Sequence, residues 1–295
     1  MNYYNEIKNE LINNEVYKKV KDYSKNRSDL KTYYNVGKLL SEAGKHYGEG
    51  IIKKYSVKLT NELGKGYSVK SLFKFRKFYN TILKVSTMSR ILSWSHYDLL
   101  LKFDDIIEFN YYVKITEEQN LSVRDLRQRI KSNEYDRLDD KTKMKLKNHE
   151  KEKATDFIKN PILIKNKYNT DKISEKMLKQ LILEDLDSFL KELGKGFTYV
   201  STEYPIKIGN RYNYIDLLLF NYIDNCFVVV ELKITEFKAE YVGQVLKYIN
   251  YIDKNIKDVN QSPTLGIIIC KKNNRYIIQY VTNKNIIERE YKLIV

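Results

Sequence analysis

The chain has 295 residues, enough for about two domains, and 42% of them are hydrophobic, enough for well-formed cores. No uncharged run approaches the ~18 apolar residues needed to cross a bilayer, and the opening MNYYNEIKNE lacks the apolar centre of a secretory signal, so the expectation is a cytoplasmic protein without membrane spans. A net charge of +15, from 53 Lys and Arg against 38 Asp and Glu, suits phosphate polyanions and makes nucleic acid the natural partner; an AT-rich genome, rich in Lys and Asn codons, would raise the balance by itself.

Residues 1–145 hold 29 basic and 19 acidic side chains, so the excess leans toward the N-terminal half. Apolar residues there recur at helical spacing, as in Leu72, Phe75, Phe78, Tyr79 and Ile82, or Val123, Leu126 and Ile130. Ser122 and Asp125 of SVRD form a capping box at the start of the second run. This half reads as an all-helical domain. In TNELGKGYSVKSLFKFRKFY one helix stops at Gly64-Lys65-Gly66 and another begins after Ser68. The second carries Lys70, Lys74, Arg76 and Lys77 among aromatics, a pattern that suits a helix-turn-helix laid along DNA. Two helices joined by a glycine turn also pack together without touching DNA. Trp94 and His96, in LSWSHYDLL, have no partners for nucleophilic chemistry around them, so packing and capping are expected.

Residues 139–176 are strongly charged, with one Pro and a short apolar island, and the domain junction is placed at 146–173. A long helix follows over about 174–193. Strand-like runs come next: FTYVSTEYPI, YIDLLLF, CFVVVELK, TLGIIIC and RYIIQYV, interrupted by the helical EFKAEYVGQVLKYINYID. Helix, three strands, helix, two strands predicts an α/β domain with a mixed sheet over 174–295. Cys226 and Cys270 fall inside apolar strands without CxxC pairing, which predicts free core residues.

The stretch YIDLLLFNYIDNCFVVVELK, residues 214–233, places Asp216, Glu231 and Lys233 where strands normally bury carbon. If the two halves pair as a hairpin, Asp216 lands opposite the end of the second strand, and Glu231 and Lys233 share a face. Buried carboxylates cost several kcal/mol unless compensated, and one lysine supplies a single positive charge. A divalent ion would supply the rest. Mg2+, with Mn2+ as a substitute, takes hard oxygen ligands and keeps waters, so Asp216, Glu231 and the carbonyl of Leu232 would suffice, with Lys233 serving a phosphodiester hydrolysis. A strand-end ion pair guarding a sheet edge explains the same residues without chemistry.

The order D-x14-E-x-K on adjacent strands, followed by a helix with Gln244, resembles the PD-(D/E)XK nuclease superfamily, with Ile215 where the nominal motif has Pro. More narrowly, YIDLLLF, VVELK with FKAEYVGQ, PTLGIIIC, and in the first half YGEGIIKKYSVKLTNELGKGYS, LFKFRKFY and LSVRDLRQRI resemble the YhcG-like family over nearly the full length. The resemblance implies a restriction-endonuclease-like fold and Mg2+-dependent nuclease activity in restriction, anti-phage defence or mobile-element biology. It implies a role for Gln244 in positioning water or phosphate. It also implies an acid from the preceding helix, for which Glu184 is preferred over Asp185, Asp187 and Glu192. DNA is the expected substrate, although the same residues could act on RNA, and cutting both strands would require a homodimer. The competing reading is a nucleic-acid-binding or partner-regulating module that keeps the fold without useful catalysis.

Overall fold

The computed structural model describes residues 2–20, 25–85, 88–89, 91–170, 173–274, 277–278 and 283–295. The chain forms two compact units, residues 1–135 and 136–295. The division falls ten residues before the expected end of the helical half. Among the described residues, no helix is long and apolar enough to cross a membrane.

The first unit is helical throughout its described elements: α1 (Tyr3–Val20), α2 (Lys25–Tyr47), α3 (Ile51–Leu63), α4 (Val69–Val85), α5 (Trp94–Leu100), α6 (Ile106–Gln119) and α7 (Val123–Lys131). Its core joins Ile7, Leu11, Val36, Leu40, Ile52, Leu59, Leu72 and Phe75, the i, i+3, i+4 residues of amphipathic helices. Gly37 allows α2 to press on α4, because a Cβ there would sit 2.2 Å from the Phe75 carbonyl oxygen. Trp94 packs among the rings of Tyr33, Phe75 and Phe78, and His96 closes a capping box with Ser93 while its Nε2 meets the Leu121 carbonyl. Both residues thus pack and cap as expected.

The second unit contains α8 (Asp140–Asn148), a 3-10 turn at Ala154–Phe157, β1 (Ile162–Lys165), α9 (Glu175–Glu184), α10 (Leu186–Leu193), β2 (Phe197–Ile208), β3 (Arg211–Asn221), β4 (Cys226–Leu232), α11 (Ala239–Asn255), β5 (Leu265–Cys270) and β6 (Ile286–Ile294). The strands form one six-stranded sheet in the order β1-β6-β5-β4-β3-β2. The pairs β2/β3 and β3/β4 are antiparallel, whereas β4/β5, β5/β6 and β1/β6 are parallel. This is the mixed sheet that the element order predicted. The crossover helix α11 connects the parallel strands β4 and β5 and covers one face of the sheet, α9 and α10 cover the other, and β4 is almost wholly buried. One face packs Leu217, Leu219, Val228 and Val230 against Leu178, Leu181 and Phe189 of α9 and α10. The other packs Leu218, Val229 and Ile268 against Val242, Val245 and Ile249 of α11.

Three details differ from the sequence reading. The helix expected over 174–193 breaks at Asp185, whose φ of −136° and ψ of 54° are not helical and whose side chain accepts the Ser188 N–H to start α10. Within the expected junction, ILIK at 162–165 is an edge strand on β6, too short to announce itself by alternation. Of RYIIQYV, only Ile277 and Ile278 fall among the described residues, in helical conformation, and the last strand is instead IIEREYKLI. Cys226 and Cys270 are free and buried, as expected.

Candidate active site

The site forms where β3 leaves β4. The two strands pair from Asn221/Cys226 to Leu217/Val230, while β3 continues with β2 alone to a tight turn at Gly209 and Asn210. The next pair in that register is Asp216 opposite Glu231. The ladder opens there because the Asp216 side chain takes over: its Oδ2 accepts the Leu232 N–H at 3.0 Å. In an extended strand the N–H and C=O of one residue point to the same side, so the Leu232 carbonyl is directed toward Asp216 as well. The other carboxylate oxygen, Oδ1, accepts Lys179 Nζ of α9 at 3.2 Å.

Glu231 is 3% exposed. Its Oε1 accepts Lys233 Nζ at 2.7 Å and Gln244 Nε2 at 2.8 Å, and its Oε2 is buried without a hydrogen-bond partner. Burial, reinforced by the Asp216 charge, pushes the Glu231 carboxyl up to about 7, although Lys233 opposes the shift. For Lys233, burial works to lower the pKa, but the hydrogen bond and charge of Glu231, with Glu175 and Asp216 behind them, win and raise it. Its ammonium lies 3.8 Å from Glu175 Oε2 and 5.3 Å from the centre of the Tyr241 ring. Gln244 is fixed by a second hydrogen bond to the Tyr248 hydroxyl at 2.9 Å, within α11.

Asp216, Glu231, Lys233 and Gln244 are therefore brought together, with Leu232 between the carboxylates. Glu184 is not. Its carboxylate accepts the Tyr168 hydroxyl at 2.8 Å and Gln180, with Lys167 at 3.9 Å. The acid that α9 sends to the cluster is Glu175, nine residues earlier and so on the opposite side of a helix that advances 100° per residue. Lys179, one turn after Glu175 on the same face, also joins Glu203 at 2.9 Å. The sequence reading missed Glu175, Lys179, Tyr241 and Tyr248. An i, i+4 Glu-Lys pair before the first long strand was the one available signal, and such pairs are common on solvated helices.

Of the α4 candidates, Lys74 pairs with Asp98, Arg76 with Glu49 at 2.6 Å and Lys77 with Asp104 at 2.8 Å. Lys70 is exposed and has no ion-pair partner among the described residues. Most of the basic charge on that helix is thus met inside its own unit.

Among the described residues, no three His, Cys, Asp or Glu side chains gather into a metal cage. The donor set is two carboxylates and a backbone carbonyl, which fits a hard cation that retains waters. The orphaned Glu231 Oε2 fits the same ion: a buried acceptor beside a second carboxylate needs either a proton or a cation.

A mixed sheet whose adjoining strands converge Asp216 with Glu231-x-Lys233 at the point where they part defines a nuclease domain of the PD-(D/E)XK, restriction-endonuclease-like class. Residues 155–295 match the YhcG PDDEXK nuclease domain and residues 8–137 match the DUF1016 N-terminal domain, leaving only 1–7 and 138–154 unmatched. The chain belongs to the YhcG-like family. It is 25% identical over 311 aligned residues to "Putative nuclease YhcG" of Escherichia coli (strain K12), covering 89% of this chain and 82% of that protein. Among solved structures, a repair endonuclease from Pyrococcus abyssi aligns over 43% of this chain and 49% of its own, with 19% identity and a TM-score of 0.30. An EndoMS complex with double-stranded DNA aligns over 44% of this chain and 48% of its own, with 19% identity and a TM-score of 0.29. The chain spans about half the length of these two structures.

Proposed function

We propose that the chain is an Mg2+-dependent endonuclease that hydrolyses phosphodiester bonds of DNA at the Asp216–Glu231–Lys233 cluster. The observation that carries this reading is the Glu231 carboxylate: one oxygen is held by Lys233 and Gln244, and the other is buried with no partner. Asp216, Glu231 and the Leu232 carbonyl would hold the ion, with Mn2+ able to substitute. When bound, it supplies Lewis-acid charge at the scissile phosphate and favours ionised Glu231.

The remaining roles belong to the chain itself. Lys233, partly buried and tied at Glu231, offers a fixed positive charge for the attacking water and the phosphate oxygens. Gln244, anchored by Tyr248, fixes the Glu231 carboxylate so that its free oxygen keeps its direction. Lys179 offsets the charge of Asp216 from the α9 side. The helical unit assists by holding nucleic acid, and cleavage of both strands proceeds through a dimer that presents two sites.

The test incubates labelled duplex DNA, single-stranded DNA and RNA with the full chain in Mg2+, Mn2+ or EDTA. Metal-dependent cutting of DNA that falls by at least ~100-fold in Lys233→Ala and Asp216→Asn, with binding retained, is the expected result. Binding without cutting in every metal would favour the non-catalytic module instead. Sedimentation of the protein with and without duplex DNA checks the dimer.

A further inference from the structure

Beside the site, α11 and the free end of the β2–β3 ribbon enclose an open groove of about 650 Å³. Its lining includes Lys207 from the ribbon and Gly243, Lys247, Asn250, Tyr251 and Lys254 from the helix, and it contains no acidic residue. Gly243, Lys247, Asn250 and Lys254 are spaced i, i+4, i+7 and i+11, so they form one stripe along α11. All four are exposed. Among the described residues none of the three lysines has an ion-pair partner: Lys247 donates to Asn213 Oδ1 at 2.9 Å, and Lys207 lies 5.8 Å from the Tyr212 ring centre. On α4, by contrast, three of the four basic residues considered already have carboxylate partners.

Gly243 adds an independent observation. Glycine inside a helix is unfavourable relative to alanine, and Gly37 and Gly266 are each required by close packing. A Cβ on Gly266 would meet Val245 at 2.4 Å, and one on Gly37 would meet backbone at 2.2 Å. A Cβ on Gly243 would meet nothing within 4 Å. The protein's own packing gives no reason for bare backbone there, at the residue just before Gln244, which touches Glu231.

We infer that this groove binds the sugar–phosphate backbone of one DNA strand as it runs away from the scissile position, with Lys207, Lys247 and Lys254 meeting phosphates and Gly243 admitting the strand against α11. The inference rests on the nuclease reading and extends it to the path of the substrate. From Gln244 to Lys254 the helix advances about 15 Å, the length of roughly four nucleotides along a duplex axis.

The experiment measures anisotropy of a labelled oligonucleotide, as duplex and as single strand, against the full chain in EDTA across about 50–200 mM NaCl. In Lys207→Ala/Lys254→Ala the slope of log affinity against log salt should flatten by ~1.4 for single strands or ~1.8 for duplex, with a loss of roughly 5- to 8-fold per lysine near 0.1 M salt. Loss confined to one of the two substrates identifies which form occupies the groove. Lys292→Ala, on β6 at the other side of the sheet, should leave the slope unchanged. Gly243→Gln should weaken binding while its melting temperature stays at or above that of the wild type. Slopes equal to wild type in the double lysine variant, or full affinity in Gly243→Gln, would overturn the proposal. Cleavage by the wild type in Mg2+ is scored separately: normal cutting with unchanged slopes sinks the groove alone, and altered slopes without cutting sink the nuclease reading alone.

Discussion

Replacing Glu231 with Gln isolates the electrostatic tension at the centre of the site. Gln places a carbonyl oxygen where Oε1 accepts Lys233 and Gln244, and an amide where Oε2 has no partner, so it imitates the protonated acid. In the folded protein burial raises the Glu231 pKa to about 7, whereas its ordinary value is 4.5. Between those values the folded state retains a proton that the unfolded chain has released, so stability falls as pH rises through the window. A gap of about 2.5 pH at 1.36 kcal/mol each gives on the order of 3 kcal/mol, present as a relative advantage of the wild type below pH 4.5 and gone above pH 7. Urea unfolding of both proteins in EDTA, followed by circular dichroism between pH 4 and 8, should show Glu231→Gln gaining about that much on the wild type toward pH 8. Mg2+ at pH 8 should then restore the wild type and leave the variant unmoved, because an ion that binds only the folded state stabilises it by mass action. Parallel pH profiles for the two proteins would refute the assignment of a strained, buried carboxylate.

Two further predictions concern the scaffold. Gly266→Ala forces a methyl group into the 2.4 Å approach to Val245, which should cost about 1–3 kcal/mol through displacement of α11 from β5 and lower the melting temperature of the nuclease unit by several degrees; an unchanged transition would show that α11 moves freely. In the helical unit, Glu134 is 1% exposed and accepts Tyr111 at 2.8 Å and Arg129 at 2.8 Å. Removing it in Glu134→Ala deprives a largely buried guanidinium of its carboxylate and should cost roughly 3–5 kcal/mol, read as early loss of helical signal on heating. Thermal stability equal to wild type would mean that Arg129 reaches solvent or another acceptor at little cost.

The amino-acid sequence by itself determined the division into a helical and an α/β half, the mixed sheet, the buried free cysteines and the identity of the converging charges, because each depends on local periodicity or on register within one hairpin. Asp216 and Glu231 are separated by a short turn, so the alternation of side chains along two adjacent strands already places them opposite one another. Lys74, Arg76 and Lys77 looked like a free basic face because their acids, Asp98, Glu49 and Asp104, are more than twenty residues away in the chain. Glu184, preferred over Asp185, Asp187 and Glu192, does not join the cluster and Glu175 does, for a similar reason: position along a helix is legible, but which side of α9 faces β3 and β4 is set by how α9 packs on the sheet. The strands 162–165 and 286–294 close the sheet through parallel contacts between residues 120 or more apart in sequence. Such pairing leaves little mark on a short segment, because its hydrogen bonds come from the backbone, which every sequence has. Only the tertiary structure decided that Glu231 keeps one oxygen buried and unpaired, since burial is a property of what several distant elements jointly exclude.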